Sequence, residues 1–272
     1  MGNSLTNISD KRIRLAIRIS NSNMFFSVGD PLTKDDFTYE IYNINKGISI
    51  AANLREAFKT SELLLSGYKR SIIILDSPAM IIPIEEYDEQ NVEDLYKFTH
   101  KLNNNETIIN NAISELNLSI AYKLNKDLQL VLNDHFDDIH YLHIMQSVWI
   151  DTYHYHYKNE SMMLFVYFHN KKFEVFSFKQ NRIYFYNSYN YCSINDTTYY
   201  ILCVWKQLGI DIKMDILYLF GDIPNREELI ASLNRFLYSV KDIYSTEKFT
   251  DSCIINMKEL PYDLITLYKN YK

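Results

Sequence analysis

The sequence predicts an α/β fold built from two copies of a β-β-β-α-β-α unit with mixed sheets. Three observations carry this. Tyr42-Asn43 and Tyr186-Asn187, Ser49-Ile50 and Ser193-Ile194, and Ile72-Ile73-Ile74-Leu75 and Ile216-Leu217-Tyr218-Leu219 each stand 144 residues apart. The elements predicted around those landmarks follow in one order in both halves. Each half also holds a short continuous apolar run, the pattern of a central strand covered on both faces.

In the first copy, Arg12–Ile19 alternates Ile13, Leu15, Ile17 and Ile19 with Arg14 and Arg18, which predicts a half-buried strand. The polar turn Ser20-Asn21-Ser22-Asn23 and then Met24–Val28 make a hairpin. Gly29-Asp30-Pro31 turns the chain into a third strand over Phe37–Ile44. Ala51, Leu54, Phe58 and Leu63-Leu64-Leu65 give a helical stripe over Ser49–Leu65, with Gly67 suited to the helix end. Ser71–Leu75 is the buried strand.

The second copy repeats this. Met162–Phe168 and Phe173–Phe178 flank the turn His169-Asn170-Lys171-Lys172, and Arg182–Asn187 is the third strand. Asp196–Leu208 is a helix ended by Gly209, Ile216–Phe220 the buried strand, and Asn225–Ile243 a long amphipathic helix. Between the copies the pattern predicts a strand at Met80–Pro83, helices at Val92–Leu102 and Ile108–Leu116, a strand at Leu118–Tyr122, and a helix at Lys126–Phe136. A strand at Ile139–His143 and a helix at Met145–His156 follow. The lobes are expected over residues 1–157 and 158–272.

Composition narrows the function. Net charge is −6, whereas a phosphate-backbone binder is ordinarily basic, so no nucleic acid is expected as partner. Only 6 glycines and 5 prolines stand in 272 residues, against collagen-like, linker-like or Gly-rich-loop readings. Tyr 23 and Phe 15 favour strands and aromatic packing layers. Cys192, Cys203 and Cys253 form no C-x-x-C pair and read as thiols of a reducing compartment. Residues 1–20 interleave charges with apolar positions, so no secretion signal is read; no run is long enough for membrane insertion, and a cytoplasmic protein is expected. The Met1-Gly2-Asn3-Ser4-Leu5-Thr6 start matches a myristoylation pattern without polybasic support.

Leu75-Asp76-Ser77-Pro78 running to Pro83 and Glu85-Glu86-Tyr87, and Tyr184–Asp222 with Tyr186-Asn187-Ser188, Trp205 and Leu219-Phe220-Gly221-Asp222, resemble an uncharacterised, mainly Bacteroidetes family, domain-of-unknown-function family 3822. The duplicated unit likewise resembles the actin-like ATPase, ribonuclease H-like superfamily, which includes pilus-assembly actin-like proteins. The resemblance implies that fold over almost the whole chain and brings no catalytic residue. It also implies two β-hairpins that cradle nucleotide phosphates, each with an Asp-x-Gly motif, and a Gly-Gly pair near adenosine. Neither hairpin turn here has Asp or Gly, and only Gly221 stands where the pair belongs. This argues against nucleotide hydrolysis, and no cofactor is expected.

Asp76 and Asp222 lie just past the C-terminal end of a buried strand, where open α/β sheets bind ligands. With Gly221 they are the cofactor-binding candidates; an Asp there equally serves as a turn former. His154 and His156 are the metal candidates: on a strand the two rings share a face, on a helix they point about 200° apart. His135, His140 and His143 lie nearby with Asp134, Asp137 and Asp138. Lys171, Lys172, Lys179 and Arg182 mix with Phe173, Phe176, Phe178, Tyr184 and Tyr186, which suits either single-strand stacking or a hairpin packed in a core. The reading is an interaction or scaffold module whose partner is another protein. The alternative is an ATPase or sugar kinase with an atypical nucleotide site.

Overall fold

A computed structural model of the chain describes residues 14–29, 37–156, 162–243 and 260–270. The Gly29-Asp30-Pro31 turn beyond Gly29, the myristoylation pattern and Cys253 lie outside them. The chain divides into two compact units, Met1–Gln146 and Ser147–Lys272. Among the described residues no helix is long and apolar enough to cross a membrane.

The first unit is built on a five-stranded sheet. Its strands are β1 (Leu15–Ile19), β2 (Asn23–Val28), β3 (Thr38–Asn43), β4 (Arg70–Leu75) and, late in the unit, β8 (Asp138–His143). Their order is β3-β2-β1-β4-β8. The β1–β2 and β2–β3 pairs are antiparallel, and the β1–β4 and β4–β8 pairs parallel. Between β3 and β4 run α1 (Ile50–Thr60) and the short α2 (Glu62–Leu65). One helix is predicted here; Ser61 divides it, closing α1 with its amide and capping α2 with its hydroxyl. Gly67 and, in the second unit, Gly209 follow their helices at φ +84° and +65°, the left-handed turn that suits glycine.

β1 departs from its predicted alternation. All five residues are buried, and Arg18 is only 1% exposed. β1 is central, with neighbours on both edges, and the guanidinium lies over the Phe25 ring.

A second, three-stranded sheet follows, from β5 (Ala79–Pro83), β6 (Glu106–Ile113) and β7 (Leu118–Asn125), in the order β5-β7-β6. α3 (Val92–Thr99) precedes β6 and α4 (Lys126–His135) follows β7. The helix predicted at Ile108–Leu116 is therefore wrong: the stretch is β6 and a 3-10 turn at Ser114–Leu116. Thr107, Ile108 and Ile109 are β-branched, and antiparallel pairing with β7 decides between two patterns that a short run satisfies equally.

The second unit repeats the first sheet. It has β9 (Met163–His169), β10 (Lys172–Lys179), β11 (Arg182–Asn190), β12 (Ile216–Gly221) and β13 (Val240–Asp242), in the order β11-β10-β9-β12-β13. The sequence of antiparallel and parallel pairs is the same. α6 (Ile194–Gln207) joins β11 to β12, and α7 (Arg226–Leu233) joins β12 to β13. The long helix predicted to Ile243 stops at Asn234. Beyond it Val240–Asp242 pairs with Leu217–Leu219, so sheet pairing overrides the apolar spacing.

The core of this unit gathers Leu164, Val166, Phe168, Val175, Trp205 and Leu219. Each fully buried side chain of this size contributes roughly 1.5–3 kcal/mol of transfer free energy. α5 (Ile144–His156) leads into the unit and α8 (Tyr262–Asn270) closes it. Tyr262 donates to Asp151 at 2.6 Å, Lys269 pairs with Asp151, and Tyr167 donates to Asp263 at 2.6 Å.

The repeat holds in structure, with slips. Ser49 caps α1 through the Ala52 amide, and Ser193 caps α6 through the Asp196 amide, still 144 residues apart. The amide of Asp76 reaches Ile19 and that of Asp222 reaches Phe168, so the strand landmarks run 146 apart and Ile72 falls level with Tyr218 rather than Ile216. Connections of unequal length account for the drift.

Candidate functional site

The first hairpin turn closes on itself. The Ser20 hydroxyl accepts from the amides of Ser22 at 3.3 Å and Asn23 at 3.2 Å. It lies 2.9 Å from both the carbonyl and the side-chain oxygen of Asn23. The Ser20 amide donates to the same carbonyl at 3.0 Å. Backbone N–H groups that a phosphate-binding loop would present are thus taken up inside the turn.

The second turn reaches its shape without glycine. Asn170 and Lys171 sit at φ +46° and +63°, the left-handed pair of a two-residue hairpin turn. At its base Glu174 is fully buried and its Oε1 gathers His169 Nε2 at 3.2 Å, Lys172 Nζ at 3.1 Å and Ser188 Oγ at 3.0 Å. Burial pushes this carboxyl up, but the His169 hydrogen bond and the Lys172 charge overcome it and hold it below the usual value. Glu174 is therefore an anion at the base of the turn, and its charge is matched by Lys172, which it holds.

Asp76 opens a loop held from several sides. Its amide donates to Ile19 at 3.1 Å, Ser77 Oγ to the Lys123 carbonyl at 3.0 Å, and Tyr96 OH to the Pro78 carbonyl at 2.8 Å. His143 Nε2 lies 2.8 Å from the Ser77 carbonyl, and its Nδ1 accepts from the Met145 amide at 3.2 Å, which places the ring proton on Nε2. Burial, then the Glu106 charge, pushes the Tyr96 hydroxyl up to about 12, so it stays a donor.

In the second unit the amide of Asp222 donates to Phe168 at 2.9 Å and its side chain is exposed. Gly221 sits at φ +86°, where an added Cβ would meet the Phe168 carbonyl at 2.2 Å and the Tyr167 ring at 2.7 Å. Arg226 donates to the Gly221 carbonyl at 3.1 Å and pairs with Asp242. Gly221 thus serves a close packing of β12 against β9.

His154 and His156 lie on α5, the arrangement in which the rings diverge by about 200°. His154 is exposed; burial pushes the His156 ring down, and it lies against Phe178. His135 stacks on Phe58, His140 sits 3.7 Å from Asp138, and His143 holds the Ser77 loop. Among the described residues no group of three His, Cys, Asp or Glu is arranged to hold a metal.

Phe173, Phe176 and Phe178 are buried, so the basic hairpin has a core-facing side and cannot stack bases on those rings. The sequence reading names Ser20 only as a turn residue and His143 only beside the metal candidates, and it does not single out Glu174. The Ser-x-Ser-Asn spacing was a signal for Ser20, and a lone acid inside the aromatic run Phe173–Phe178 for Glu174.

The profile of the family described as "Protein of unknown function (DUF3822)" matches residues 3–240. Among solved structures the chain is similar to a Bacteroides thetaiotaomicron VPI-5482 protein with an actin-like ATPase fold and unknown function. That match has a TM-score of 0.83 and 22% identity, over 98% of this chain and 99% of that one. It is also similar to the PilM–PilN type IV pilus biogenesis complex, with a TM-score of 0.61 and 8% identity, over 94% of this chain and 96% of that one. No curated protein matches the sequence. These likenesses show the actin-like ATPase fold, with two lobes built on the five-stranded sheets.

Proposed function

The chain belongs to the DUF3822 family, and from that premise we propose that it is an interaction or scaffold module on an actin-like fold whose nucleotide site has degenerated. The observation that carries this reading is the first hairpin, where the Ser20 hydroxyl takes the Ser22 and Asn23 amides. The buried Glu174 at the second hairpin supports it, because it ties Lys172 and His169 into the protein, away from an incoming phosphate. PilM, a distant structural neighbour, is described in a complex with PilN, which supports a protein as partner. Asp76 and Asp222 are read as residues of the strand-end turns, and His154 and His156 as a helix end.

A thermal-shift series with ATP, ADP and GTP, each with Mg²⁺, tests the reading. The expected result is an unchanged melting temperature with every nucleotide. A concentration-dependent rise with any of them would favour an ATP-dependent enzyme with an atypical site.

A further inference from the structure

Every sheet edge presents unpaired backbone groups, and proteins ordinarily guard them with charge, proline, short strands or covering elements. Among the described residues, five of the six edges carry such a device. In β3, Glu40 accepts from the Leu63 amide at the start of α2. Along β8, Asn111 of β6 reaches the Tyr141 carbonyl at 3.0 Å. β13 has three residues, two of them charged. β5 ends at Pro83, and β6 makes the same Asn111 contact to β8 from its own side.

β11 differs. It is nine residues long, about 30 Å at the usual rise. Among the described residues it pairs only with β10. Its one charge, Arg182, stands at its first position, and Tyr184 and Ser188 are exposed along it. Lys179 lies 5.0 Å over the Tyr184 ring.

Charge says what the edge suits. Between Lys171 and Tyr191 stand Lys171, Lys172, Lys179 and Arg182 against one acid, Glu174, which is buried and already engaged. This is a basic strip with cations at both ends of β11, on a chain of net charge −6. A second copy pairing antiparallel through the same strand would set Lys179 and Arg182 of one chain beside Lys171 of the other, cation against cation. An extended segment with carboxylates at its ends meets the opposite sign at each end.

We propose that the open edge of β11 is a docking edge for an extended, acidic-ended segment of another protein, which adds to the sheet as a strand. The proposal deepens the interaction-module reading and rests on it by naming the class of partner.

The probe is a synthetic peptide, Glu-Glu-Val-Thr-Val-Tyr-Val-Thr-Val-Glu-Glu, titrated into the full chain by fluorescence anisotropy. Two controls accompany it: the same core with Lys ends, and the acidic peptide with its central Tyr replaced by Pro. The acidic peptide is expected to bind about tenfold more tightly than the Lys-ended one. The Pro peptide is expected to lose about tenfold or more, because Pro removes a ladder donor. A Lys179→Glu/Arg182→Glu double variant, its fold checked by circular dichroism, is expected to reverse the peptide preference.

Equal binding of the acidic and Lys-ended peptides, an unaffected Pro peptide, or a preference that does not reverse would overturn the proposal. So would the absence of saturable binding, or sedimentation showing that a second copy occupies the edge. The two readings fail separately. No peptide binding and no Mg-ATP binding removes the docking edge and leaves the module; peptide binding together with Mg-ATP binding removes the module and leaves the edge.

Discussion

Glu174 and His169 meet at the base of the second hairpin with 3.2 Å between Oε1 and Nε2, and 1% of each side chain is exposed. Burial raises this carboxyl and its partners lower it further, so its folded value lies below the ordinary one. A carboxyl depressed in this way stabilises the fold above its unfolded value of about 4.3. That contribution is lost as pH falls through the folded value. Urea denaturation of Glu174→Gln at neutral pH is expected to show a loss of about 1–3 kcal/mol. The gap from the wild-type chain should narrow on acidification. A variant as stable as wild type at neutral pH would contradict this role.

Gly221 and Gly209 both take left-handed conformations, but their surroundings differ. A methyl group at Gly221 meets backbone at 2.2 Å, whereas at Gly209 it meets nothing within 4 Å. Gly221→Ala combines backbone strain with overpacking and is expected to cost on the order of 3 kcal/mol. Gly209→Ala pays for strain alone, about 1 kcal/mol. Thermal melts of the two variants check the ranking; equal losses would show that β12 does not need its close approach to β9.

Asp138 receives Arg14 at 2.6 Å and Arg70 at 2.8 Å on one oxygen. These hydrogen bonds hold its carboxyl down at about 2. The stability this adds is present above the ordinary aspartate value of about 3.9. It is lost as pH falls toward 2. Asp138→Asn is expected to lower the melting temperature at neutral pH, with the difference disappearing near pH 2 and shrinking in high salt. A difference independent of pH would contradict the assignment.

Much of the fold was legible in the sequence because the buried strands are apolar on both faces and the cap serines recur. Ser49 and Ser193 mark the helix starts because each caps an amide three residues on. The errors lie where tertiary pairing decides. Thr107–Ile109 fits strand or helix until β7 is beside it, and Val240–Asp242 continues a helical spacing but finds an edge on β12. The site was less legible. The lack of Asp and Gly in the hairpin turns could be read directly, but not that Ser20 would satisfy the amides or that Glu174 would be buried. Both depend on which groups the folded turn brings within hydrogen-bond reach.

The central claim is that this chain has lost its grip on a nucleoside triphosphate. Isothermal titration of Mg-ATP into the purified protein tests it most directly. The account expects no saturable heat of binding, in wild type and in Ser20→Ala alike. Stoichiometric binding that disappears in Asp76→Ala or Asp222→Ala would contradict it and assign those carboxylates to a working nucleotide site.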